Sequence, residues 1–290
     1  MRIIDAHVHL YPNEVDRAPA EWAAAHGERH WSVLCTRKRR DGRPVQVLPT
    51  VDQLLATMDL AGIERAVLLG WYWENWDTCQ WQNRFYANCV RDHPDRLAAC
   101  ATLHPSAGEE EILAEIRRIC DDGLVGIGEL SPHAQAHGVD DPVFAAAMAL
   151  AGELGLPVNL HVTDPQSRPY PGRIETPGDD FVKLAEAFPA TTFILAHWGG
   201  MLPLRDLRFT ASKNVYFDSA ASPLMYDADV WPRALAAMGT DRVLFGSDFP
   251  LNLYPKLDDV PGLVRFVGEA LTSGATTAVL ADNAARLFKL

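Results

Sequence analysis

An α/β fold, a single (β/α)8 barrel, is what this sequence predicts, and three observations predict it. Short β-rich apolar runs recur eight times, most are followed by a helical pattern, and 290 residues is the length of one barrel domain. Alternating strands and helices imply a parallel sheet covered on both faces. A doubly wound open sheet is the rival arrangement. Neither G-x-G-x-x-G nor G-x-x-x-x-G-K-[ST] opens a helix, so its nucleotide-binding forms lose support. One domain over 1–290 is expected.

The first run, at 2–8, carries DAHVHL and sets His7 and His9 two residues apart. In a strand these positions share a face, so both imidazoles project together, as ligands of one metal or as polar groups on a wet surface. ERAVLLG (64–70), RLAACATL (96–103), GLVGIGEL (123–130) and PVNLHV (157–162) follow. TFILAHWG (192–199), NVYFDSA (214–220) and RVLFGSDFP (242–250) complete the eight. Between them, VDQLLATMDLAG places Leu54, Leu55, Met58 and Leu60 on a helical period and stops at Gly62. EEEILAEIRRICDDG does the same with Ile112, Leu113, Ile116 and Ile119, and Asp141 with Pro142 forms a helix start. The stretch 10–49 shows no clear period and holds HGERHWSVLCTRKRRDGRP, the most positively charged part of the chain. A lid or binding loop inserted after the first strand is expected there. Arg37, Lys38, Arg39 and Arg40 form a solvated charge run, or supply one cation that closes over a substrate carboxylate.

Composition narrows the partners. The net charge of −12 argues against a nucleic-acid backbone, which needs a basic surface. Five cysteines, an odd number without a C-x-x-C pair, argue against a disulfide framework and a cysteine zinc site. No signal-peptide pattern and no apolar run of about 18 residues is seen. A cytoplasmic enzyme acting on a small molecule is expected, with neither nucleic acid nor membrane as partner and with homo-oligomerisation left open.

Barrels carry their chemistry at the C-terminal ends of their strands. The fourth run ends at Glu129, the fifth at His161, the sixth at His197 and the eighth at Asp248, and the first supplies His7 and His9. Buried imidazoles and carboxylates are costly unless paired or metal-bound, so one metal cluster accounts for all of them together.

DAHVHL, VNLHV, ILAHWGG, VLFGSDFP and DNAARLF together resemble the amidohydrolase superfamily, and within it the amidohydrolase-2 branch that includes aminocarboxymuconate-semialdehyde decarboxylase. The resemblance implies that His7, His9, His161 and Asp248 surround a divalent metal, usually zinc, although manganese or iron suits the same donors. It implies that His197 polarises or protonates substrate, and that Asn283 and Arg286 are structural. Glu129 departs from this pattern. VGIGEL looks more like the strand-four segment of TatD-type hydrolases, where a glutamate touches metal, and no lysine stands where the superfamily has its carboxylated one. Glu129 is therefore a candidate further metal ligand, or a carboxylate that orients a histidine.

A metal with an open position activates water, with Asp248 taking a proton and His197 stabilising the oxyanion or protonating the leaving group. The expected activity is metal-dependent hydrolysis of a small carboxylated or cyclic amide, ester or lactone. The alternative is non-oxidative decarboxylation or hydration of an aromatic-derived unsaturated acid, and Glu129 tips the balance toward hydrolysis. A barrel that binds without turnover is a third reading, which would need a broken metal set. Trp71 and Trp73 of WYWENW, with His104, Arg168, Tyr170 and Trp198, are the expected substrate contacts.

Overall fold

Each of the eight apolar runs forms a strand shorter than itself: β1 Ile4–Val8, β2 Arg65–Leu68, β3 Leu97–Ala101, β4 Gly126–Leu130, β5 Val158–Leu160, β6 Phe193–Leu195, β7 Val215–Asp218 and β8 Val243–Leu244. The structure is a computed structural model and describes residues 1–251 and 262–290. The strands pair in parallel and in sequence order. Ala6 N donates to Phe245 O (2.8 Å), His9 N to Phe249 O (2.7 Å) and Asp248 N to His7 O (2.8 Å), which brings the last strand round to the first. The fold is the (β/α)8 barrel.

Helices flank the sheet because their apolar faces match it. The insertion contributes α1 Asn13–Arg17, α2 Pro19–His26 and α3 Arg29–Cys35. The barrel helices that matter here are α4 Val51–Ala61, α5 Trp76–Asp92, α6 Glu109–Asp121 and α7 Pro142–Leu154. Thr50 and Gln53 close a capping box on α4, and Gly62 ends it in left-handed backbone at φ 71°. Leu54 and Met58 are buried against the sheet, but Leu60 is 71% exposed and lies off that face. Asp141 accepts from Val143 N and Phe144 N at the start of α7, as expected of a cap before proline.

The barrel interior is apolar at the end where the strands begin. Ile4, Ala6, Val67, Leu69, Ala98, Cys100, Ile194 and Leu244 form one cluster, sealed by Ala281, Ala284 and Phe288 of the closing helical segment. Asn283 Nδ2 donates to Thr240 O and Val243 O there (2.8 and 2.7 Å), so its role is to hold that segment beneath β8. The imidazoles of His7, His9 and His197, with Glu129, Asp218 and Asp248, gather at the opposite end.

The stretch 10–49 is not the aperiodic loop its sequence suggests. Tyr11, Trp22, Trp31, Trp73 and Trp81 pack edge to face and in stacks, and they fix α2 and α3 over the segment that follows β2. Two carboxylates then tie the pieces reciprocally. Glu28 accepts from Glu74 N (2.8 Å) and Asn75 N (3.2 Å), while Glu74 accepts from His30 N (2.6 Å). Arg39 is not a solvated charge: its side chain is buried and pairs with Asp41 at 3.0 Å.

Candidate metal centre and active site

The two early histidines owe their direction to a fault in β1. Ile4 and Ala6 point into the interior cluster, whereas Val8 and Leu10 belong to the layer between sheet and helices. The β1–β2 register shifts between Asp5 and Val8. An extra residue of this kind re-aims the side chains beyond it, and it turns His7 and His9 inward together.

Both rings are then fixed by their outer nitrogens. His7 Nδ1 donates to Asp218 Oδ2 (2.9 Å) and His9 Nδ1 to the Leu69 carbonyl (2.9 Å). Their Nε2 atoms are left facing each other at 3.2 Å. Around this pair stand Glu129 Oε2 (3.8 Å from His7, 3.5 Å from His9) and Asp248 Oδ1 (3.8 and 3.6 Å). His197 repeats the pattern: Nδ1 donates to Ala220 O at 3.2 Å, and Nε2 faces Glu129 Oε1 at 3.6 Å. His161 completes the set with Nδ1 3.0 Å from Glu129 Oε1 and Nε2 3.3 Å from the Thr163 hydroxyl, which can donate or accept.

This donor set fits a divalent cation. With the outer nitrogens donating, neutral His7, His9 and His197 turn bare lone pairs toward one another and toward two carboxylates, an arrangement of acceptors against acceptors that only a cation relieves. Two groups lie within ligating distance, His7–His9–Glu129 and Glu129–His161–His197, and they share Glu129.

The backbone that presents these groups is unusual where they sit. His197, Trp198, Gly199, Gly200 and Met201 run through left-handed backbone at φ 57–60°, and Asp248 lies at φ 63°. Non-glycine residues there store strain, which concentrates at functional sites. Asp218 Oδ1 accepts from His197 N and Ala220 N (3.0 Å each) and so braces the first of these turns. Gly128, next to Glu129, approaches β5 so closely that a Cβ would stand 2.5 Å from Asn159 O.

Electrostatics follow from burial against charge. Burial alone would raise Glu129, but His161, His197 and His9 hold it well below the usual carboxylate range. Burial does raise Asp248, against the pull of His7, His197 and His9. Burial opposes charge on His7, yet Asp218, Glu129 and Asp248 outweigh it and lift the imidazole to about 10. The site demands positive charge, from protons or from a metal.

Of the expected substrate contacts, Trp71 stands nearest the set, 5.4 Å from His9 and stacked on Tyr72 at 4.3 Å. Tyr170 is partly exposed and lies within electrostatic reach of Tyr72. Two expectations are corrected. Trp73 is fully buried in the aromatic cluster, with its indole N–H on Gln82, because it anchors the insertion. Trp198 is fully buried against Trp231 and donates to Ser222, because the left-handed turn throws it outward from the barrel. His104 caps the turn at Pro105–Ala107 and meets His137, and Arg168 is exposed; neither contacts the cluster. Sequence reasoning passed over Asp218, although it ends β7 as Glu129 and His161 mark β4 and β5. Tyr72, one of the strand-end aromatics of WYWENW, lies 5.3 Å from His161.

A family model described as amidohydrolase matches residues 4–290. This chain belongs to the amidohydrolase family. No curated protein matches the amidohydrolase, but solved structures do. 5-Carboxyvanillate decarboxylase from Sphingomonas paucimobilis aligns over 100% of this chain and 99% of its own, with TM-score 0.74 and 16% identity. 2,6-Dihydroxybenzoate decarboxylase from Rhizobium aligns over 100% and 99%, with TM-score 0.68 and 19% identity. The 5-carboxyvanillate decarboxylase of Novosphingobium aromaticivorans, complexed with manganese and 4-hydroxy-3-methoxy-5-nitrobenzoic acid, covers 100% and 96% at TM-score 0.75 and 18% identity. At such identities the likeness establishes the fold. Among the described residues no helix is long and apolar enough to cross a membrane.

Proposed function

We propose that this amidohydrolase is a metal-dependent, non-oxidative decarboxylase of a small aromatic carboxylic acid. The observation that carries the reading is a flat wall beside the donor set, where Trp71 and Tyr72 stack and meet His9 and His161 edge-on or tilted. Such a wall suits a planar acid. The decarboxylases of aromatic acids among the structural neighbours support it. The weighting drawn from Glu129 alone is thereby reversed.

His7, His9 and Glu129 Oε2 would hold one divalent cation, with Asp248 beside them and His161 and His197 on the other oxygen of Glu129. A cation bound there would supply a Lewis acid that orients and polarises substrate oxygens, and zinc, manganese and iron all suit the donors. Asp248, which burial raises, is the group placed beside the set to pass on a proton. It delivers that proton to the ring carbon as the carbon–carbon bond to the carboxylate breaks, the bonding pair staying on the ring and carbon dioxide leaving. His197 is raised by Glu129 and Asp248 against its burial, and it stands where it can polarise substrate oxygens.

Hydrolysis of a lactone or ester is the second reading, favoured by Glu129 as a further metal-side carboxylate, with Asp248 then acting as base. The test incubates manganese- and zinc-loaded protein with hydroxybenzoates and with a lactone and ester panel. Carbon dioxide release, with one solvent deuteron entering the ring per turnover, is the expected outcome. Turnover of lactones or esters with no carbon dioxide from any acid would reject decarboxylation.

A further inference from the structure

We propose that the Tyr72 hydroxyl is a specificity-determining contact, donating a hydrogen bond to an oxygen of an acidic substrate held between the donor set and the insertion. This rests on the reading of the histidine–carboxylate cluster as the active site.

Tyr72 is 4% exposed, and its hydroxyl has no hydrogen-bond partner among the described residues. A buried tyrosine hydroxyl ordinarily finds one. Tyr86 does so, donating to Leu69 O at 2.8 Å and lying 3.1 Å from Leu10 O. Tyr11 is also unpartnered, but its oxygen is sealed inside the aromatic cluster, whereas that of Tyr72 is not sealed. The difference is one of place. Glu129 and Asp248 from the donor set, Cys35 from the insertion and Tyr170 from the segment after β5 all lie within electrostatic reach of the Tyr72 hydroxyl. The ring itself touches Trp71, His161 and His30.

These neighbours come from three separate segments: the strand ends, the insertion and the stretch after β5. Cys35, at the end of α3, also lies within electrostatic reach of Asp248. His30 donates from Nε2 to Gly172 O at 2.8 Å and joins the insertion to the segment after β5. With its ring 5.3 Å from His161, Tyr72 is placed to meet a ligand held on the donor set. A phenol is a donor at neutral pH, and one set among carboxylates seeks an acceptor. A substrate carboxylate or phenolate oxygen supplies it.

The test compares Tyr72→Phe with wild type, both manganese-loaded, by titration with 2,6-dihydroxybenzoate and 4-hydroxy-3-methoxy-5-nitrobenzoate. A lost hydrogen bond to a charged oxygen predicts roughly 10- to 100-fold weaker binding, with melting temperature and manganese content unchanged. Equal affinities for the two proteins would overturn the assignment. So would a variant whose melting temperature and manganese content fall together with affinity, since the hydroxyl would then serve the fold. Wild type that binds manganese but neither acid overturns the aromatic-acid reading and this contact with it. Equal affinities alone leave that reading standing.

Discussion

His7 and His9 each commit one ring nitrogen to the protein and leave the other for the centre, and Asp218 decides which nitrogen His7 commits. That carboxylate is itself held low: burial would raise it, but His7 and His197 pull it down. On the proposed ligation, a metal bound at His7 would displace a proton from a group lifted to about 10. The sign follows directly. His7 is protonated in the metal-free chain below that value, protons compete with metal, and affinity rises with pH. Displacement of one proton predicts about a tenfold gain in affinity per pH unit between pH 6 and 9. Isothermal titration with manganese in buffers of different ionisation heat reads both the affinity and the proton released. A pH-independent affinity without proton release would contradict this account. Asp218 was legible in principle, since NVYFDSA places it at a strand end like its partners. It was missed because a carboxylate that supports one histidine, one asparagine and nearby backbone leaves no motif of its own.

At the scale of elements, the strands were legible and the insertion was not, for a physical reason. Parallel strands buried on both faces write themselves as continuous apolar runs. The helices α1, α2 and α3 are 5, 8 and 7 residues long and bury only Val15, Ala23, Trp31 and Cys35 between them. So few buried positions over so few turns cannot display a 3.6-residue period. Their stability comes from tertiary anchors: the tryptophan cluster, and Glu28 against the backbone of Glu74 and Asn75. Replacing Glu28 by alanine leaves those two N–H groups without their acceptor and should weaken docking by about 1–3 kcal/mol. Local opening then becomes about tenfold more frequent for each 1.4 kcal/mol. Limited proteolysis should cut within 10–49 correspondingly faster, while hydrogen exchange in the β-strands stays as in wild type. Unchanged cleavage would mean that the aromatic cluster and the His30 contacts hold the insertion without Glu28. The site shows the same division. Strand-end logic reaches His161 and Glu129, but the direction of Trp198 depends on left-handed backbone at 197–201 that no period announces.

Across the whole molecule, the barrel separates two kinds of interior. The end closed by Phe288 is apolar and satisfied, while the other gathers four histidines and three carboxylates, Glu129, Asp218 and Asp248, whose charges balance only with added cations. The donors come from β1, β4, the segments after β5 and β6, and the segment after β8, so they span most of the ring. A cation at the centre joins strands that are not sheet neighbours, and it does so only in the folded chain. Its binding energy is then folding energy: free metal at 100 times its dissociation constant contributes about 2.7 kcal/mol. For a chain of 290 residues that corresponds to a rise in Tm of roughly 4–5 °C. Thermal unfolding of wild type should show Tm falling by this amount on chelation and climbing with the logarithm of added manganese. His7→Ala/His9→Ala should start near the chelated value and respond to neither treatment. A wild-type Tm indifferent to both chelator and manganese would reject a structural metal at the barrel mouth. A double variant that still gained stability from manganese would move the binding site elsewhere on this acidic surface.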